Sequence, residues 1–368
     1  FTIEPQGERL LVTVPGYRQD VEGRADLAEE VARVSGYDAI PETLPTGVPP
    51  ESRIDPVRAA ADRAKHILVG CGLQEVMTYS LVAAGSASRV FGVEGAASVE
   101  EIAVANAISS EQSVLRVTLL PSLLETARAN LRHGDGVALF ELANVYLPPL
   151  GPLPTEQPRL GIVLIGQATP TAWNAPRREA DFFDLKGIIE ELLASFGLAG
   201  RFRTWSAAGY QPGRCAEVVL GGGEALPVGL LGQLHPRVVE GFDLGDRRVY
   251  AVELRFDLLA QHAQPQPQIR PIPRLPGLDR DLALIVDHST PHADLEAALR
   301  ATAGELLERI TLFDTYAGPP VPPGKKSLAY TLRFRARDRT LTDDEADAAV
   351  ARLVTTVAER FGAVLRSG

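Results

Sequence analysis

The sequence predicts an α+β protein of several domains, and three of its features support this. Two proline-rich segments, residues 41–56 and 264–276, divide the 368-residue chain into three parts. Helix-like and strand-like patterns alternate in the long middle part, and the last part has the order strand, helix, strand, strand, helix, strand. At 45% hydrophobic content, a chain of this length has enough apolar side chains for several cores.

Composition and charge narrow the class of protein. No apolar run approaches the ~20 residues of a membrane span, and no signal-peptide pattern opens the chain, so we expect a cytoplasmic protein without a membrane partner. Cys71 and Cys215 lie far apart with no second cysteine or histidine at ligand spacing, which argues against a zinc site and a disulfide framework. The net charge is −10, but the region from Arg270 to the C-terminus has 14 basic and 14 acidic residues. The net charge therefore does not exclude a nucleic-acid partner for that region.

The first part is predicted to contain a hairpin and a short helix. Because the chain opens inside the hairpin, at residues 1–14, we expect it to be a fragment of a longer protein. Asp26 is predicted to cap the helix, with Glu29 three residues later as in a capping box, and Gly36 is predicted to end it. The apolar face of this helix would consist of Leu27, Val31 and Val34.

Four acids lie close together around this helix: Asp20, Asp26, Glu29 and Glu30. Such hard oxygen ligands on a loop and a helix start suit Mg²⁺, which takes one or two carboxylates and keeps several waters. Acids in a first helical turn also complement the helix dipole and cap free N–H groups without any metal. Spacing alone therefore leaves both interpretations open.

The middle part is predicted to alternate helices and strands. One helix begins at Asp55-Pro56 and ends at Gly70, and another has Pro121 in its first turn. The other predicted elements are strands at 75–82, 137–147, 160–165, 216–220, 228–231 and 249–256, and a helix at 182–196 with Phe183, Ile188, Leu192 and Phe196 inward. The glycine run at 221–223 has no G-K-[ST] and no helix after it, so a hairpin turn is favoured over a phosphate loop.

The last part has the βαββαβ order of the ferredoxin-like fold. Thr342 and Glu345 form a predicted capping box for its second helix. Its third strand is predicted over residues 327–337, where apolar and charged side chains alternate between the two faces. The residues expected to face the core are Leu328, Tyr330, Leu332, Phe334 and Ala336.

The other face of this strand and its flanks carry a group of basic side chains: Lys325, Lys326, Arg333, Arg335, Arg337 and Arg339. Since the second face of a four-stranded sheet is open unless it is covered, these cations suit the phosphates of RNA. The alternative is that they are solvated arginines that keep an exposed sheet face soluble. Three arginines in register with three flanking cations favour RNA binding.

Several motifs, in order along the chain, resemble one family. The first part has R-x-D and A-D-L-x-E-E-V-A-R-x-x-G-Y-D-x-I-P; the middle part has N-A-I-S-S-E-x-S-x-L-R, L-L-P-S-L-L, F-E-L-A-N-V-Y and F-D-L-K-G; the last part has L-F-D-T-Y-A-G and G-K-K-S-L-A-Y. Together they resemble the C-terminal part of the β subunit of bacterial phenylalanyl-tRNA synthetases. The resemblance implies the end of a helical, winged-helix-like module at 1–42, a degenerate class II synthetase-like core at 43–264 and a ferredoxin-fold anticodon-binding domain at 274–367.

The resemblance also implies a function. In this family a Mg²⁺ is held by four acids whose positions fall on Asp20, Asp26, Glu29 and Glu30. The parent enzyme is an α₂β₂ assembly that joins phenylalanine to its tRNA using ATP, with the catalytic site on the α subunit. The core of this chain should therefore pack on an α subunit, and the last domain should contact tRNA.

Motifs that are absent bear on catalysis. Class II catalytic cores carry an Arg-x-Glu pair on one strand and a glycine-rich strand followed by a helix with an ATP-binding arginine. Phe140-Glu141 lacks the arginine, and residues 249–259 lack the glycine run. Because ATP phosphates need such fixed cations, we expect a non-catalytic subunit. The alternatives are a stand-alone tRNA-binding paralogue without an α partner, and an independent ATP-dependent ligase, which the missing arginines disfavour.

Overall fold

The computed structural model describes residues 1–44, 46–47, 55–96 (without the side chains of 93–96), 100–148, 153–169, 172–174, 176–221, 225–264 and 272–366. The chain forms two compact units, Phe1–Ile54 and Asp55–Gly368. None of the described helices combines the length and the apolar character needed to cross a bilayer.

The first unit is a hairpin followed by one helix. Its elements are β1 (Thr2–Gln6), β2 (Arg9–Thr13), α1 (Arg24–Ser35) and a 3₁₀ turn (Tyr37–Ala39). The prediction that Asp26 is the N-cap was wrong, because Gly23 holds that position. Asp26 lies at the third helical position, and its carboxylate accepts hydrogen bonds from the backbone N–H groups of Glu22 and Gly23 at 2.8 and 2.7 Å. Gly36 ends the helix as predicted.

The predicted apolar face of α1 is not buried within this unit. No residue of α1 is buried, and Val31 and Val34 are among the exposed large apolar side chains. The spacing that indicated an apolar face is present, but none of the described residues of the first unit buries this face.

The second unit begins with a mixed core. Its strands are β3 (Gln74–Glu75), β4 (Leu81–Val82), β5 (Ile102–Ala103), β6 (Val114–Leu115), β7 (Gly136–Leu147), β8 (Thr155–Gly166), β9 (Gly200–Trp205), β10 (Tyr210–Leu220), β11 (Leu226–Leu234) and β12 (Val249–Arg255). Its helices are α2 (Pro56–Gly70), α3 (Ser86–Ala96), α4 (Leu120–Asn130), α5 (Phe182–Ser195), α6 (Pro236–Gly241) and α7 (Phe256–His262), with a 3₁₀ turn at Ser110–Gln112.

A seven-stranded sheet of order β3-β7-β8-β12-β11-β10-β9 lies between two layers of helices. Its pairs are antiparallel except β3 with β7, and β4, β6 and β5 form a small separate sheet. Side chains alternate along β7, so that Phe140 packs in the cluster formed with α2, α5 and α7, while Leu139 packs in the cluster formed with α4 and α6.

The core differs from the predictions in three respects. The strand predicted at 75–82 is two short strands separated by an irregular segment, and α3, β5, β6, β9, α6 and α7 were not predicted. Phe183 was predicted to point inward and is exposed, because Leu185, Ile189, Leu192 and Leu193 are the residues of α5 that pack on the sheet. The helix is apolar on more than one side, so its periodicity does not fix which side is buried.

The rest of the second unit has the predicted βαββαβ order. Its elements are β13 (Leu278–Asp287), α8 (His292–Ala303), a 3₁₀ turn (Gly304–Leu306), β14 (Leu307–Tyr316), β15 (Lys325–Phe334), α9 (Asp343–Phe361) and β16 (Val364–Leu365). The antiparallel sheet has the order β14-β15-β13-β16, which confirms the ferredoxin-like fold. The capping box of Thr342 and Glu345 at the start of α9 is confirmed.

Several predicted boundaries lie outside the described residues. The proline-rich linkers include residues 45, 48–54 and 265–271, and the predicted glycine turn includes residues 222–224. The strands on either side of that turn, β10 and β11, pair antiparallel as a hairpin requires. The domain limits 1–42, 43–264 and 274–367 stay predictions.

Candidate functional site

The acidic cluster of the first unit is organised around Arg18. Its guanidinium bridges the carboxylates of Asp20 and Glu30, with Nη2 lying 2.7 Å from Asp20 Oδ2 and 2.6 Å from Glu30 Oε1. Arg33 lies 2.7 Å from the other oxygen of Glu30. The hydrogen bonds from Arg18 and then Arg33 lower the pKa of Glu30 to about 2, and the bonds from Arg18 also lower the pKa of Asp20.

The other two predicted metal ligands are used differently. Asp26 caps the start of α1, and Glu29 is exposed without an ion pair to any described residue. Across the described residues, no group of three or more His, Cys, Asp or Glu side chains is placed to hold a metal ion. In this arrangement the four acids could not all bind one metal ion. Arg18 bridges Asp20 and Glu30, and the carboxylate of Asp26 accepts hydrogen bonds from backbone N–H groups.

The basic residues of the last domain lie along β15 and beyond its end. Leu328, Tyr330, Leu332 and Phe334 are buried as predicted, and Arg333 therefore faces the side of the sheet opposite the helices. The hydrogen-bonded strand ends at Phe334, so Arg335 and Arg337 lie just past it, although Ala336 is still buried in the predicted alternation.

Three of these six cations already contact carboxylates. Arg333 lies 3.7 Å from Asp279 and 3.4 Å from Glu308, and Arg335 lies 3.0 Å from the same glutamate. Arg339 pairs with Glu345 at 2.7 Å. Among the described residues, Lys325, Lys326 and Arg337 form no salt bridge, and Arg337 is exposed. Arg337 is therefore the arginine of the group that is most available to an external anion.

Acidic residues of β13 lie beside the basic residues, in register. The pairs across β13 and β15 are Asp279 with Arg333, Asp281 with Thr331, and Asp287 with Lys325. The Thr331 hydroxyl donates to Asp281 at 2.7 Å. The open face is thus a mixture of both charges and not a continuous basic stripe, which only knowledge of the strand register could have revealed.

An aromatic side chain that the sequence analysis did not single out lies on the same face. Tyr316 ends β14 opposite Ser327, is 40% exposed, and its hydroxyl donates to the carbonyl of Pro319 at 2.8 Å. The guanidinium of Arg366 lies 5.8 Å from the centre of its ring. An exposed ring beside a cation is a surface on which an unpaired base can stack.

In the core, three residues of adjacent strands form a row beneath α4. Gly161 of β8 lies opposite both Glu141 of β7 and Glu253 of β12. Glu253 accepts hydrogen bonds from the Thr118 hydroxyl at 2.5 Å and from the Leu119 N–H at 2.9 Å. The start of α4 therefore lies over a glycine and is held on one side by the partly buried carboxylate of Glu253.

On the other side of the row, Glu141 belongs to a buried ion pair. Arg116 and Glu141 are each 3% exposed, with Arg116 Nη1 3.0 Å from Glu141 Oε1. Arg116 also donates to the Thr78 hydroxyl at 2.8 Å and to the carbonyl of Asn144 at 2.9 Å. Thr78 donates to Glu141 through its N–H at 3.0 Å and its hydroxyl at 2.7 Å. All charged groups of this network are thus satisfied.

Next to this network lies an exposed apolar surface. Met77 and Tyr79 are 90% and 77% exposed. Residues 77–79 line an open groove of about 790 Å³, which Pro121 and Ser122 of α4 also line. Exposed apolar groups beside a groove are typical of a surface that binds another chain.

Comparisons with known families match most of the chain in three segments. Residues 1–37 match the tRNA synthetase B5 domain, residues 40–256 match the phenylalanyl tRNA synthetase beta chain CLM domain, and residues 273–366 match the ferredoxin-fold anticodon binding domain. The order is the one that the motifs indicated.

Individual relatives agree with the family models. The chain is 43% identical over 364 residues to the phenylalanine–tRNA ligase beta subunit of Symbiobacterium thermophilum, a match that covers 97% of this chain and 40% of the relative. It is 39% and 40% identical over 370 residues to the proteins of the same name from Moorella thermoacetica and Geobacillus kaustophilus, each covered over 45% of its length. The chain thus spans less than half of these relatives. It belongs to the family of phenylalanyl-tRNA synthetase beta chains.

Proposed function

We propose that this chain is the C-terminal part of a non-catalytic β subunit of phenylalanine–tRNA ligase. It would support the ATP-dependent, class II attachment of phenylalanine to its tRNA in the cytoplasm, within an α₂β₂ assembly whose α subunit carries the catalytic site and binds ATP. The observation that carries the proposal is the match of nearly the whole chain, through three modules in order, to relatives with this name.

The exposed apolar surface of the core supports an α-subunit partner. The relatives are named as one kind of subunit, and the side chains of Met77 and Tyr79 project from the core and are 90% and 77% exposed. Burying such side chains against another chain is favourable, at roughly 25 cal/mol per Å² of apolar surface.

The experiment that tests the proposal is a titration of this chain with the cognate α subunit, followed by molecular size and by phenylalanylation of tRNA. We expect a defined complex of the two chains, even if aminoacylation is weak in the part tested. Failure to bind the α subunit, with tRNA binding intact, would instead favour the stand-alone tRNA-binding paralogue. Amino-acid-dependent pyrophosphate exchange by this chain alone would favour an independent ligase.

The last domain is proposed to contact tRNA through its open sheet face. The supporting observations are the basic residues at and beyond the end of β15, and the exposed ring of Tyr316 beside Arg366. Arg337 is the cleanest residue to change, since it is exposed and forms no ion pair with any described residue. Arg337→Ala should weaken tRNA binding and reduce its salt slope by about one.

The matched control is Arg352→Ala. Arg352 is also exposed, but it lies on α9, which covers the opposite face of the sheet. Equal effects of the two substitutions would mean a non-specific electrostatic contribution and would remove the sheet face from the tRNA contact.

Magnesium binding by Asp20, Asp26, Glu29 and Glu30 is a separate proposal, supported by the four carboxylates within eleven residues. It requires Asp20 and Glu30 to exchange Arg18 for the ion. Arg18→Ala should therefore increase the magnesium retained after dialysis, measured by atomic emission, whereas Glu30→Gln should lower it. If neither the natural chain nor the Arg18 variant retains magnesium, the cluster is a charge network and not a metal site.

A further inference from the structure

Hydrogen bonds hold the short segment that links β3 to β4, residues 76–80, at Val76, Thr78 and Ser80. The Val76 N–H donates to the carbonyl of Phe140, and the Arg116 N–H donates to the carbonyl of Ser80, both at 2.9 Å. Between these points the segment forms no regular strand. The side chain of Thr78 points inward to the buried network, whereas Met77 and Tyr79 project outward.

The buried ion pair is the main fixed point of this segment. Thr78 donates twice to Glu141, and its hydroxyl oxygen accepts from Arg116, so one threonine is held at three points by two buried charges. Stability alone does not require such a pair, because apolar residues of similar volume in place of buried ion pairs are often as stable. Directional hydrogen bonds to charged groups do fix the direction of a side chain and of its neighbours.

We infer that Arg116 and Glu141, acting through Thr78, are positioning residues that present Met77 and Tyr79 to the α subunit. The inference rests on the proposed function, in which this surface binds that subunit. In a segment without regular pairing, rotation of Thr78 out of the network would carry the flanking side chains away from the wall of the groove. The ion pair would thus act on subunit assembly without contacting the partner.

Met77 itself can serve as a chemical probe of this surface. Met77 is the only methionine of the sequence and is almost fully exposed. Its oxidation to the sulfoxide by hydrogen peroxide can be followed by the mass of the protein. We expect the α subunit to slow this oxidation strongly in the natural chain, purified without an initiator methionine.

The positioning itself is tested by Thr78→Val, which keeps the shape of the side chain and removes the hydroxyl. We expect the Kd for the α subunit to rise by about tenfold or more, because the two hydrogen bonds of the Thr78 hydroxyl to Glu141 and Arg116 are lost and only the backbone N–H bond to Glu141 remains. Thr78→Ser, which retains the hydroxyl, should bind like the natural chain. Thr355→Val on α9, where the hydroxyl donates only to Ala351, serves as the matched control and should have no effect on binding.

A non-additivity test separates positioning from a general loss of folding. If Thr78 acts through its neighbours, Thr78→Val should have no further effect on affinity in a chain that already carries Met77→Ala and Tyr79→Ala. An undiminished effect in that background would overturn the inference, as would an unchanged Kd of the single Thr78→Val variant. If the natural chain itself neither binds the α subunit nor shows protection of Met77, the proposed function fails and the inference fails with it.

Discussion

The close approach of α4 to the sheet makes a sharp prediction for Gly161. A Cβ atom at this position would lie 2.6 Å from Leu123 Cδ1 and 3.1 Å from Leu119 Cβ. Leu123 is fully buried in an apolar cluster, where side chains are closely packed, and Leu119 Cβ is attached directly to the backbone at the start of the helix. Gly161→Ala should therefore push α4 away by a few tenths of an ångström and destabilise the core by about 1–3 kcal/mol, as overpacking does.

The same substitution at Gly187 provides a control of opposite sign. Gly187 lies inside α5, and a Cβ atom there would meet nothing within 4 Å. Gly187→Ala should stabilise the core by about 0.5–1 kcal/mol, because alanine loses less backbone entropy in a helix.

Unfolding in urea, followed by tryptophan fluorescence, measures the stability of the core in both variants. The two tryptophans of the sequence, Trp173 and Trp205, both lie in the core region, so the signal does not report the last domain. If the Gly161→Ala variant were as stable as the natural chain while Gly187→Ala was stabilised, the argument that α4 packs here only because residue 161 has no side chain would be refuted.

Three further predictions concern the buried Arg116–Glu141 ion pair, the Thr342 cap of α9 and the Arg18–Glu30 ion pair. Arg116→Met and Glu141→Gln should each destabilise the core by about 3–5 kcal/mol in the same fluorescence assay, and the double variant should be destabilised by clearly less than the sum. Thr342→Ala should lower the free energy of opening of α9, measured by hydrogen exchange, by about 1 kcal/mol, while Thr342→Ser should leave it nearly unchanged. NMR titration should give Glu30 a pKa of about 2; because this lies below the ordinary value of 4.5, its stabilising effect is present above pH 4.5 and is lost as the pH falls towards 2. Arg18→Ala should return that pKa towards 4.5, and an unchanged pKa would contradict the ion-pair geometry.

Local signals explain what the sequence could predict. Asp55 and Pro56 begin α2 as predicted, and Thr342 with Glu345 begins α9, because a capping residue and its partner lie within three positions of each other. The alternation in β15 also identified its buried face, since successive side chains of a strand point to opposite sides. The order of these elements was enough to predict the fold of the last domain.

The remaining features depend on contacts between distant residues. Thr78 and Glu141 are 63 positions apart, and Arg116 and Glu141 are 25 apart, so no local pattern could pair them. The acids of β13 beside the basic residues of β15 likewise follow from strand register, which a list of basic residues in one strand does not contain. The prediction of a basic face therefore considered the residues of β15 without the acids of β13 beside them, and RNA binding by these cations stays a prediction.

The hydrogen bonds of Glu141 determine whether a ligand could reach this acid. One carboxylate oxygen accepts from the Thr78 N–H and from Arg116, the other accepts from the Thr78 hydroxyl, and the residue is 2% exposed. A ligand could reach this acid only by breaking the network, which would leave the charge of Arg116 buried without its partner. In the described structure, Glu141 of β7 thus uses both of its carboxylate oxygens inside the core, where they hold Thr78, the residue between Met77 and Tyr79.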